Sequence, residues 1–116
     1  MAEIPDANGT ALLSIEVEGS GSRVFLQLKG ELDISTAPLL QSTLADVVRD
    51  PPEEIVLNLG DLSYVDSTGL SLFITATKRA RAAGSKLVLR DPQESTQRLL
   101  EITNLTDYFD SDAKTS

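Results

Sequence analysis

The sequence has no cysteine, no histidine and no tryptophan, and the absences close off whole classes of chemistry. Without cysteine there are no disulfides and no thiolate nucleophile. Without histidine a Ser-His-Asp triad cannot form, and with neither residue a good zinc site is missing too. A metal would have to be held by carboxylates and carbonyls, and no cofactor is expected. Aromatic residues make up 4% of the chain, too few for a stacking surface or a large aromatic ligand pocket. No apolar run approaches the roughly 20 residues of a transmembrane helix. Met1-Ala2-Glu3-Ile4-Pro5-Asp6 lacks the basic start and apolar core of a signal peptide. A cytoplasmic location without membrane insertion is therefore expected. Nucleotide-binding motifs are missing as well. Gly84-Ser85-Lys86 has no upstream P-loop glycine and leads into a strand, and Gly19 and Gly21 sit in a hairpin. No acid–base pair beside a substrate pocket stands out, so an enzyme is not expected.

What is present fits a single folded unit. The chain has 116 residues, enough for one domain with one core, and 41% are hydrophobic. Acids outnumber bases 18 to 10, for a net charge of -8. So acidic a surface repels nucleic acid and anionic lipid, and it suits a protein partner with a basic patch.

Residues 1–11 read as a loose N-terminal segment, 12–109 as the folded domain and 110–116 as a polar tail. Leu13, Ile15 and Val17 alternate with Ser14, Glu16 and Glu18, the period of a strand with one face in water. Gly19-Ser20-Gly21-Ser22 is a turn, and Val24, Leu26 and Leu28 mark a second, antiparallel strand. Ser35 or Thr36 can cap a helix with Pro38 in its first turn, and Asp50-Pro51-Pro52 stops it. The near-continuous apolar run Ile55-Val56-Leu57-Asn58-Leu59 predicts a central strand buried on both faces, as in a parallel sheet covered by helices. A second helix is predicted from about Thr68 to Ala83, with Gly84 as its C′ residue. Lys86–Arg90 is a further strand, and Gln93–Thr103 a third helix. Leu105, Tyr108 and Phe109 are placed to dock a last short strand or extended segment. The order β-β-α-β-α-β-α predicts an α/β fold: a small mixed β-sheet of about four to five strands with helices packed against it.

In such sheets sites gather beyond the carboxyl ends of the strands. Two loops end there. One holds Asp33 and the other Asp66-Ser67-Thr68-Gly69, so the two should be neighbours. Ser67 has two readings. It can cap the helix through its side-chain oxygen, worth about 1 kcal/mol. The residues alone favour that cap; the other reading is a phosphoacceptor, since free amides at a helix start tolerate a phosphate. Thr68 is a weaker acceptor candidate or an early-helix residue bonded to backbone. Asp66 is a cap or an acid that polarises Ser67, and Asp33 a turn residue or a second acid. Gly69 permits close approach of a partner or of a neighbouring element. No base lies between Arg49 and Lys78, so a kinase choosing Ser67 would dock on the folded surface and not read a basic linear motif.

Gly30-Glu31-Leu32-Asp33, Ala37-Pro38-Leu39 and Leu57-Asn58-Leu59-Gly60-Asp61-Leu62-Ser63-Tyr64-Val65-Asp66-Ser67-Thr68-Gly69-Leu70 together resemble a STAS domain. The resemblance is to the stand-alone bacterial anti-anti-sigma factors (anti-sigma factor antagonists) and spans about Leu12 to Phe109. It implies a protein that, unphosphorylated, binds an anti-sigma factor serine kinase and so releases a sigma factor. It implies that the kinase phosphorylates Ser67 and the complex falls apart, and that a serine phosphatase resets the cycle. It implies a partner-binding surface of Asp33, Asp66, Ser67, Thr68 and Gly69. The alternative is a non-phosphorylated STAS subunit of a lipid-transport or other membrane-associated complex. The family often continues past the third helix with an apolar strand and another helix, whereas here Asp107-Tyr108-Phe109-Asp110 is short and acidic.

Overall fold

Side-chain parity along the central strand decides how the layers stack. A computed structural model describes residues 2–5 and 11–111, with side chains over 12–109. Its elements are β1 (Ala2–Pro5), β2 (Ala11–Ser20), β3 (Arg23–Leu32), α1 (Ala37–Arg49), β4 (Glu54–Val65), α2 (Ser67–Ala82), β5 (Lys86–Arg90), α3 (Glu94–Ile102) and β6 (Asp110–Ser111). One sheet runs in the order β1-β2-β3-β4-β5-β6. The β1/β2 and β2/β3 pairs are antiparallel; β3/β4, β4/β5 and β5/β6 are parallel. The predicted order β-β-α-β-α-β-α is present from β2 to α3.

Two short edge strands extend the sheet beyond the expected four to five. The segment expected to be loose contributes β1, which pairs with β2. The expected polar tail begins with β6, paired with Val88 and Leu89. At 4 and 2 residues, these strands are too short to show the apolar alternation that marks a strand in sequence. Residues 6–10 and 112–116 lie outside the described residues.

Leu13, Ile15, Leu26, Leu28, Ile55, Leu57, Leu87 and Leu89 share one face and are buried. They form one core with Leu40 and Leu44 of α1, Phe73, Ala76 and Ala80 of α2, and Leu100 of α3. The helices thus cover a single face, which corrects the expectation of burial between two helical layers. Val56 and Val88 point the other way and stand outside that core, yet neither is exposed. Phe25 is in register with Val56, and its ring centroid lies 4.9 Å from the Arg23 guanidinium and 5.4 Å from that of Arg90. Arg23 also pairs with Glu54 at 2.5 Å. Apolar runs of this kind arise whenever a strand is buried on both sides, whatever does the covering.

The helix ends follow from local chemistry. Gly84, at φ 84°, closes α2: the Ser85 amide donates to the Ala80 carbonyl and the Gly84 amide to that of Arg81. The C-terminal segment docks as expected. Phe109 is buried edge-to-face on Phe73 at 6.4 Å, and Arg81 donates to the Tyr108 carbonyl at 3.2 Å while lying over its ring.

Candidate functional site

The parallel pairing of β3 and β4 carries both candidate loops to one end of the sheet. Leu32 is in register with Val65, the last residues of their strands. One step on, the Asp66 amide donates to the Leu32 carbonyl at 3.2 Å. The Asp33 loop and the Ser67 loop are therefore joined by a backbone hydrogen bond. A break in register after Gly30 leaves Ser63 as an extra residue on β4, and its hydroxyl donates to the Gly30 carbonyl at 3.0 Å before pairing resumes at Glu31 and Tyr64. Gly30 sits at φ 116°, and a Cβ there would collide with the Leu12 carbonyl oxygen. Only glycine suits that position.

Asp66, and not Ser67, caps α2. Its backbone is extended, and its carboxylate accepts the Gly69 amide at 2.9 Å. Ser67 is the first residue of the helix proper, so the capping reading of that serine does not hold. Aspartate wins the position because its side chain reaches the third amide of the turn while the chain is still extended. Ser67 is left exposed, and its hydroxyl makes no hydrogen bond among the described residues. Thr68 is half-buried. Gly69 is buried, and a Cβ there would come within 2.9 Å of both Leu32 Cγ and Val65 Cγ1. Its smallness serves a neighbouring element, the end of β3.

Asp33 organises the other loop. One carboxylate oxygen accepts the Ser35 hydroxyl at 2.6 Å, the Ser35 amide at 2.9 Å and the Thr36 amide at 3.1 Å. Its carbonyl accepts the Ala37 amide at 2.8 Å, so Asp33 satisfies the start of α1. The Ser35 hydroxyl is the main cause holding this carboxyl below the ordinary carboxylate range. Partial desolvation opposes it, and the two amides add to it. Thr36 occupies the cap position of α1, but its hydroxyl turns back, donating to the Glu31 carbonyl at 2.9 Å and accepting the Asp33 amide at 3.0 Å. Ser35 was not singled out as a site residue by sequence. The signal was there in the spacing Asp33-x-Ser35, that of an Asx turn.

Chemically the site holds, among the described residues, an exposed hydroxyl at a helix start, with Asp66 committed to the helix and Asp33 committed to its own loop. The first amides of a helix have no partner within it, which favours an anionic group there. A STAS domain family model matches residues 14–116. This chain belongs to the STAS domain family. Among STAS relatives, a Bacillus subtilis protein named anti-sigma-B factor antagonist is 31% identical over 102 residues, 88% of this chain and 93% of that one. A Staphylococcus aureus protein of the same name is 34% identical over 99 residues, 84% of this chain and 92% of that one. The STAS fold is also shared with the crystal structure of an anti-sigma factor antagonist from Mycobacterium paratuberculosis. The match has a TM-score of 0.75 and 24% identity, and it covers 93% of this chain and 89% of that one.

Proposed function

We propose that this chain is an anti-sigma factor antagonist switched by phosphorylation at Ser67. In its unmodified form it binds an anti-sigma factor that is also a serine kinase, and the sigma factor held by that kinase is released. The kinase then transfers the γ-phosphoryl group of ATP to the Ser67 Oγ. The bond to the leaving ADP breaks, the Oγ–phosphorus bond forms, and the hydroxyl proton passes to a base on the kinase. The added group brings nearly two negative charges to the docking surface, and the complex separates. A serine phosphatase removes the group and restores binding.

The observation that carries this reading is the free, exposed hydroxyl of Ser67 on the first residue of α2. Asp33, Asp66, Thr68 and Gly69 shape the surface around it. Asp66 fixes the helix start, Gly69 seats it against β3, and Asp33 fixes the adjoining loop. Their role is binding and presentation, not catalysis, and the setting is the cytoplasm. Among the described residues no helix is long and apolar enough to cross a membrane.

The test is to incubate the purified protein with its anti-sigma kinase and ATP and to map the modified residue by mass spectrometry. Modification at Ser67, lost in Ser67→Ala, is expected. Labelling that persists in Ser67→Ala would show the acceptor assignment to be wrong. Ser67→Ala should retain kinase binding while Ser67→Asp weakens it, as read by titration calorimetry.

A further inference from the structure

Four large apolar side chains stand exposed among the described residues: Val17 at 50%, Ile34 at 76%, Tyr64 at 50% and Ile102 at 75%. Two of them flank Ser67. Tyr64 precedes it on β4, in register with Glu31. Ile34 lies two residues beyond Leu32, whose carbonyl holds the Asp66 amide. By chain reach, Ile34, Tyr64 and Ser67 fall within on the order of 15 Å of one another, the scale of one binding patch. A lone exposed isoleucine is ordinary. Two large apolar groups, one near the end of β4 and one on the loop after β3, lie close along the chain to the exposed hydroxyl of Ser67 and form a patch.

The surroundings say what covers it. Glu31, Asp33, Asp61 and Asp66 lie on the same strand ends and loops, and residues 30–48 and 50–77 contain no lysine or arginine. Lys29, in register with Asp61, is the nearest base along β3. An apolar centre with an acidic rim calls for an apolar surface with a basic rim.

We infer that Ile34 and Tyr64 are the apolar anchors by which this chain docks on the anti-sigma kinase, and that their burial strips water from Ser67. This rests on the function proposed above. Docking seats both side chains in apolar sockets and closes over the neighbouring serine. A neutral hydroxyl tolerates that dehydration; a phosphate resists it, because removing water from a dianion is costly. Release then follows from desolvation at the centre of the patch, while the basic rim of the kinase continues to attract the acids at its edge.

The test measures the Kd of the purified unphosphorylated protein for the kinase that modifies Ser67. Ile34→Ala and Tyr64→Ala should each raise Kd about tenfold or more. Ile102→Ala, an equally exposed isoleucine at the far end of α3, should leave it unchanged. Far-UV melting curves of the variants should match the wild type, since both anchors are solvent-exposed. Unchanged Kd in both Ile34→Ala and Tyr64→Ala, with wild-type binding intact, overturns this inference and spares the proposed function. A wild-type protein that neither binds the kinase nor is phosphorylated by it overturns both. The dehydration step has its own readout: the fold-weakening caused by phospho-Ser67 should shrink in the Ile34→Ala background. Equal weakening in the two backgrounds overturns that step.

Discussion

Asp66 and Asp33 start their helices by different means, and the difference is testable. Asp66 caps α2 through a single carboxylate–amide bond to Gly69. Asp66→Ala should cost about 1 kcal/mol in urea denaturation, whereas Asp66→Asn keeps most of the cap. Asp33 gathers one hydroxyl and two amides on one oxygen. Its folded pKa lies below its ordinary value of 3.8, so it contributes stability above that pH. The contribution is lost as pH falls through the folded value. Ser35→Ala removes the main cause of the depression. The Asp33 pKa should rise in an NMR titration, and the acid-side loss of stability should become smaller. Gly69→Ala would place a methyl against Leu32 and Val65, with a destabilisation of roughly 1–3 kcal/mol by the same denaturation assay. The roles of these residues were only partly legible in sequence. Asp33, Asp66, Ser67 and Gly69 could each be named, but capping is decided by φ and ψ at a single residue. Asp and Ser side by side offer two caps for one position.

At the scale of elements, periodicity located every helix and the inner strands because each buries a patterned face. It missed β1, which pairs with β2 at one sheet edge, and placed the last short strand only approximately, where β6 pairs with β5. It also misread what lies beyond β4. Val56 and Val88 are buried outside the core that the helices cover, on strands where Phe25 stacks with Arg23 and Arg90, a distinction that hydropathy cannot make. The two faces should therefore respond differently to truncation. Leu57→Ala, at the centre of the helix-covered face, should cost roughly 2–5 kcal/mol. Val56→Ala should cost less, because flexible charged side chains can settle into the space. Comparison of their denaturation midpoints checks this.

For the whole molecule the dominant quantity is charge. A net -8 on 116 residues, with the carboxyl ends of β3 and β4 free of bases from residue 30 to 48 and from 50 to 77, gives the site end a negative field. Such a field steers a basic partner and is screened over about 8–10 Å at ordinary salt. The association rate with the kinase should fall as salt rises, while the dissociation rate, set by the apolar anchors, changes little; stopped-flow mixing separates the two. The seat of Gly69 against Leu32 and Val65 bears on what such a partner meets. It leaves the start of α2 no slack, so a phosphate there cannot be absorbed by the helix sliding inward. On the function proposed above, the added group would stand out toward the partner and keep its water with it. On that reading the modified site would differ in thirst as well as in bulk.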